Sequence, residues 1–270
     1  MKHSMRLLSA VVVLVLGAAG CSEQLNFLRA RNELNRGVRS FEAADFVGAV
    51  EHFEAALEFD PQLLAARTYR ASSLMMQYVP GSSSSENLAV AERSLEGFRA
   101  VLEIDPNNEL AMSSIASLYY NMEKADEAKQ WNQKLIQTFP NKKEAYYTIG
   151  VIDWGQSYKR TQEVRADVGM RQEDPGPIKD NKRREELAQE LGPVQEEALK
   201  MFTRALDLDP DYEDAMNYIN LTYRQMADVA PSADEYERLS STADEWVQRT
   251  LDTRKRLAEA SSRDLIRTDE

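Results

Sequence analysis

Few side chains in this 270-residue chain could do chemistry once the carboxylates are set aside. There is one cysteine, Cys21, and there are two histidines, His3 and His52. A lone thiol cannot close an internal disulfide, so Cys21 is either free or modified. His52 stands beside the apolar Phe53 with no cysteine to complete a metal set, and it reads as a structural histidine on a helix. The 45 Asp and Glu residues fall on helix outer faces and helix ends, with no pair singled out for acid–base work. Neither a glycine-rich phosphate loop nor a nucleophile elbow occurs. This inventory points away from catalysis, and neither a cofactor nor a metal is expected.

The neighbours of Cys21 give it a different chemistry. Lys2 and Arg6 precede an uncharged run from Leu7 to Gly20, and Ala18-Ala19-Gly20 leads into the cysteine. A short basic segment, an apolar stretch and small residues before a cut are the parts of a secretory signal. The run has 14 residues, short of the ~20 that a bilayer-spanning helix needs. Ala-Ala-Gly-Cys resembles the bacterial lipobox, with Ala18 where Leu is usual. The resemblance implies removal of residues 1–20, acylation of Cys21 and attachment to a membrane through that lipid. Ser22 after the cysteine implies passage to the outer membrane, facing the periplasm. Losing Lys2 and Arg6 takes the net charge from −12 to −14. Such a surface excludes a nucleic-acid partner, which needs positive charge, and broad adhesion to anionic headgroups.

Beyond the leader, one phrase recurs. Phe53–Pro61 reads FEAALEFDP, Phe98–Pro106 reads FRAVLEIDP and Phe202–Pro210 reads FTRALDLDP. Each is an amphipathic helical turn stopped at Asp-Pro, because proline cannot continue a helix. Prolines 61, 106, 140 and 210 are spaced by 45, 34 and 70 residues, which is a 34-residue period broken by insertions. Gly37, Ala49, Phe53, Ala56 and Pro61 then stand in register with Ala71, Ser94, Phe98, Val101 and Pro106. Ala116, Ala128, Leu135 and Pro140 follow, and after them Gly150, Ala198, Phe202, Ala205 and Pro210. Met216, Tyr223, Ala243 and Trp246 mark a fifth, drifting unit.

This pattern resembles the tetratricopeptide repeat family over roughly residues 30–251, with Ser40, Asn132 and Asn220 as departures. The resemblance implies an all-α fold, a right-handed α-solenoid of about five helix–turn–helix repeats. The expected organisation is a leader at 1–20, a lipidated tether at 21–29, the solenoid at 30–258 and a frayed tail at 259–270. Small residues at repeat positions 8 and 20 are expected to let the helices of one unit approach, and the aromatic at 24 to fill the gap to the next. A Pro-Gly-Ser insertion near 79–87 reads as a mobile linker. A second insertion near 155–192, rich in charge, reads as a helical hairpin arm projecting from repeat four. A charged last helix, about Ser241–Ala258, is expected to cap the stack.

In this family the first helix of each repeat lines a concave groove. Its position 12 reads Phe41, Met75, Tyr120, Trp154 and Arg224 through the five units. Tyr147 stands at position 5 of unit four, ahead of Trp154 on the same helix, and Asn121, Asn217, Ser113, Ser117 and Gln225 supply hydrogen-bonding neighbours. Aromatic anchors separated by adaptable polar side chains suit an extended or helical peptide. The expected function is a non-enzymatic scaffold for a protein or peptide partner on the cell envelope. The alternative is a carrier for a glycan or small ligand stacked in the aromatic groove.

Overall fold

The computed structural model describes residues 24–268, with side chains as far as Ser262. The leader and Cys21 lie outside the described residues, where every regular element is a helix. The chain forms two compact units that divide after Ala128.

The first unit holds α1 (24–42), α2 (Phe46–Phe59), α3 (Leu64–Gln77), α4 (Ser85–Ile104) and α5 (Glu109–Asn121). Two of its turns use the same device. Ala44 and Glu123, in the turns that follow α1 and α5, have φ of 59° and 58°. That left-handed residue lets the next N–H reach back and close the helix end, Asp45 N–H to the Ser40 carbonyl and Lys124 N–H to the Tyr119 carbonyl. Asp45 then caps α2 by accepting from Gly48 N–H at 3.0 Å. The helical part of the chain begins earlier than expected, since 24–29 are the first turns of α1 rather than a tether.

The repeated phrase has one geometry. Asp60, Asp105 and Asp209 each leave the helical region, with ψ of 89°, 88° and 96°, because the following proline disfavours the helical conformation. Each gives its N–H to the carbonyl four residues back, Ala56, Val101 or Ala205. Each then accepts a backbone bond three residues on, which starts the following helix.

Position 24 packs in two directions at once. The Phe53 ring is fully buried, with a carbon 2.5 Å from where a Cβ on Gly37 would lie. Its face stacks on Tyr69 of the next helix pair at 5.6 Å. Phe202 repeats this in the second unit, edge against Gly150 and face on Tyr218 at 5.4 Å. The glycine therefore makes room for the phenyl ring as well as for the neighbouring helix, and the aromatic belongs to both helix pairs it touches. Burying each ring is worth ~2–3 kcal/mol.

The segment expected as a mobile linker is fastened. Ser84 caps α4, so 85–87 already belong to its first turn. The Asn87 side chain accepts from Val79 N–H at 2.8 Å and donates to the Val79 and Ser82 carbonyls at 2.9 Å each.

From α6 (Ala125–Thr138) the chain enters the second unit: α7 (Lys143–Asp167), α8 (Asn181–Leu208), α9 (Glu213–Asp228) and α10 (Ala233–Thr268). The residues expected as a projecting arm lengthen α7 and α8, and they pack against their own unit. Val164, Ile178, Leu187 and Leu191 bury a small core with Val229, at the end of α9. Ile178 N–H donates to the Asp228 carbonyl at 2.9 Å. An apolar strip on the insertion needs a partner surface, and the α9 end supplies it. α10 is longer at both ends than the expected cap and remains helical through 259–268.

Candidate functional site

Repeat position 12 gives a different outcome in each place. In the first unit Phe41 is spent on packing: its ring is edge-on to Phe46 at 5.4 Å and to Tyr69 at 5.7 Å. Met75 is half-buried, and Met76 beside it is exposed. Tyr120 is 44% exposed, and its ring and hydroxyl make no hydrogen bond or ring contact among the described residues. Leu110, Ser117 and Tyr120 fall on one face of α5 at spacings of seven and three, all exposed. Beneath them the Ser113 hydroxyl is buried without a hydrogen-bond partner. Tyr78 donates its hydroxyl to the Asn121 carbonyl at 3.2 Å, which brings the ends of α3 and α5 together.

The second unit uses Tyr147 and Trp154 to hold itself together. Tyr147 lies 6.0 Å from Phe202, 5.1 Å from Tyr212 and 5.6 Å from Tyr218. Trp154 stacks on Tyr158 at 5.1 Å and meets Tyr218 edge-on at 5.1 Å. Its carbonyl accepts from the Gln225 side chain at 3.3 Å, while its indole N–H is buried without a hydrogen-bond partner. Asn217 is half-buried. The Arg224 guanidinium is held by Asn220 at 3.0 Å and Asp244 at 2.7 Å. Reading the repeats singled out neither Tyr218 nor Tyr158. Tyr218 repeats the position of Tyr69, and Tyr158 lies one turn beyond Trp154 where the helix was expected to leave the stack.

A polar seam runs inside the same unit. Asp153, Ser157, Thr161 and Arg165 recur every four residues along α7, and all are buried. Asp153 accepts from Lys129 at 2.5 Å through one oxygen, and its other oxygen has no hydrogen-bond partner. Burial raises the Asp153 carboxyl above the usual range, against the pull of Lys129. Ser157 accepts from Gln195 of α8 at 3.1 Å. Arg165 is 3% exposed and ties the 168–180 loop to α9. It donates to Asp228 at 2.8 Å, to the Gly176 and Arg171 carbonyls at 3.4 Å and to the Asp174 carbonyl. Burial raises the Asp228 carboxyl to about 6, with the Arg165 charge pulling the other way. Sequence spacing alone gives no sign of this seam, because a polar residue every fourth position ordinarily marks a solvated face.

His52 pairs across helices with Glu33 at 2.8 Å, and Glu33 also accepts from Arg36 at 2.9 Å. Burial works against the Glu33 carboxylate, but the two hydrogen bonds outweigh it and lower its pKa. Among the described residues no three His, Cys, Asp or Glu side chains converge on a point that could hold a metal.

No family model matches the chain, and no curated protein is similar to it. Solved structures are similar in fold. One crystal structure of MamA protein matches with a TM-score of 0.56 at 14% identity, covering 86% of this chain and 94% of that one. A second MamA crystal structure has a TM-score of 0.54 at 14% identity, covering 83% and 96%. MamA 41-end from Desulfovibrio magneticus RS-1 has a TM-score of 0.51 at 14% identity, covering 84% and 96%. These are all-helical proteins of tetratricopeptide type, and the likeness gives this chain the same fold class, an α-solenoid of helix pairs.

Proposed function

We propose that the chain is a lipid-anchored envelope protein that docks a protein or peptide partner on the exposed faces of its repeat helices. It is attached through Cys21 to the outer membrane, faces the periplasm and has no catalytic role. The supporting observation is the α5 face: Tyr120 and Leu110 stay exposed, whereas Phe41, Tyr147 and Trp154 are packed against neighbouring rings. A peptide needs such anchors, and adaptable serines lie between them. A stacked glycan or small ligand finds less support, because the rings it would stack on, Tyr147 and Trp154, are already packed against Phe202, Tyr212, Tyr218 and Tyr158.

A photo-crosslinking amino acid in place of Tyr120 tests the reading in cells. It is expected to trap one protein that the same probe at Val47, exposed on α2, does not trap. Identical adducts from both positions would defeat the docking face.

A further inference from the structure

The anchor and the fold are closer together than a tethered domain requires. α1 is already helical at residue 24, three residues after Cys21. Three residues cannot span more than about 11 Å even fully extended. If Cys21 carries its lipid at the bilayer surface, the first turn of α1 is held there with it.

That turn exposes apolar side chains on two sides, Leu25 and Leu28 on one and Phe27 on another, with Gln24, Asn26 and Arg29 exposed between them. Leu25, Phe27 and Leu28 are 47%, 51% and 63% exposed. At 100° per residue, Leu25 and Leu28 share the side of α1 opposite Ala30 and Gly37, which are buried against the rest of the unit. One turn further along the outward face the residues become Arg31, Asn32 and Asn35, so the apolar character ends within a turn of the anchor. Arg31 lies over the Phe27 ring at 4.8 Å, and Arg29 over Phe59 at 5.6 Å. An aromatic and two leucines bordered by arginines match the boundary between acyl chains and headgroups. No described helix is long and apolar enough to cross a membrane, so the contact is interfacial.

We propose that the first turn of α1 is a second membrane contact, in which Leu25, Phe27 and Leu28 enter the surface of the bilayer that holds Cys21. The proposal rests on the lipid-anchor reading above. It makes α1 a rigid foot, fixing how the first unit stands on the membrane.

The test uses the lipidated protein, expressed as the full chain and reconstituted into vesicles of phosphatidylethanolamine and phosphatidylglycerol. Phe27→Trp and, separately, Leu28→Trp introduce a reporter, read as the difference from the parent with its Trp131, Trp154 and Trp246. Including a lipid brominated near the headgroup end of its acyl chains is expected to quench the added emission and leave the parent unchanged. A vesicle-bound variant whose added tryptophan escapes quenching overturns the proposal and leaves the anchor standing. Loss of quenching with rising protein-to-lipid ratio would instead assign the face to a second copy of the chain. An intact mass without acyl groups defeats the anchor reading, and the proposal with it.

Discussion

Phe202 lies edge-on against Gly150, so closely that a Cβ on the glycine would sit 2.6 Å from a ring carbon. Phe202 is fully buried and cannot swing away. Gly150→Ala is expected to lower stability by ~1–3 kcal/mol through overpacking, despite alanine's better helix propensity. Gly155 on the same helix has open space around its Cβ position, so Gly155→Ala should raise stability by ~1 kcal/mol. Thermal melts of the two variants check the contrast; shifts of the same sign would refute the close-approach argument.

Lys129 supplies a hydrogen bond and a positive charge to the buried Asp153 carboxylate. Lys129→Met leaves that carboxylate unpaired and is expected to cost about 3–5 kcal/mol at pH 8. Because burial raises Asp153, its favourable contribution is present at low pH and lost as pH rises through the folded value, so the cost shrinks on acidification. Adding Asp153→Asn to Lys129→Met should recover most of the loss. Denaturant titrations at two pH values decide this, and a penalty independent of pH would contradict it.

Asp228 titrates at about 6 in the folded chain, above the ~3.9 of an unfolded aspartate. The folded state therefore takes up a proton in that window. The contribution to stability is complete below pH ~4 and is lost as pH rises to about 6. Wild type should lose ground to Asp228→Asn as pH is raised from 4 to 7, read as a difference in melting temperature. A difference that moves the opposite way would mean that the Arg165 ion pair, rather than burial, governs the carboxyl.

Cys21→Ser is expected to abolish incorporation of labelled fatty acid and release the protein from the membrane fraction. Retention with an unlabelled chain would remove the anchor.

What the sequence discloses follows from how local the physics is. Asp-Pro ends a helix by the covalent geometry of two residues, so Asp60, Asp105 and Asp209 were legible one at a time. Gly37 and Phe53, sixteen residues apart, were legible as a pair because the same repeat positions return at Gly150 and Phe202 once the insertion between them is set aside. Tyr69 and Tyr218, which complete both stacks, were not, since they belong to the following repeat and other units lack the aromatic. Phe41, Tyr120, Tyr147 and Trp154 lie on α1, α5 and α7. Whether Trp154 would face a partner or Tyr158 and Tyr218 depended on the insertion, whose fold is set by contacts across α7, α8 and α9. Tyr120 lies on a helix with no such addition, and it remains exposed.

The lengthened α7–α8 pair has a consequence for how the chain acquires its structure. In the first unit, the described side-chain bonds between helices join residues as close as 16 apart, at Arg70 and Glu54, and reach 43, at Tyr78 and Asn121. In the second unit, Arg165 reaches Asp228 across 63 residues, Lys143 reaches Asp209 across 66 and Gln225 reaches Trp154 across 71. Wider loops close more slowly, because their entropy is surrendered before any contact repays it. Refolding should therefore be uneven in time: a fast phase for the N-terminal repeats, which also leave the ribosome first, and a slower one for the stitched C-terminal half.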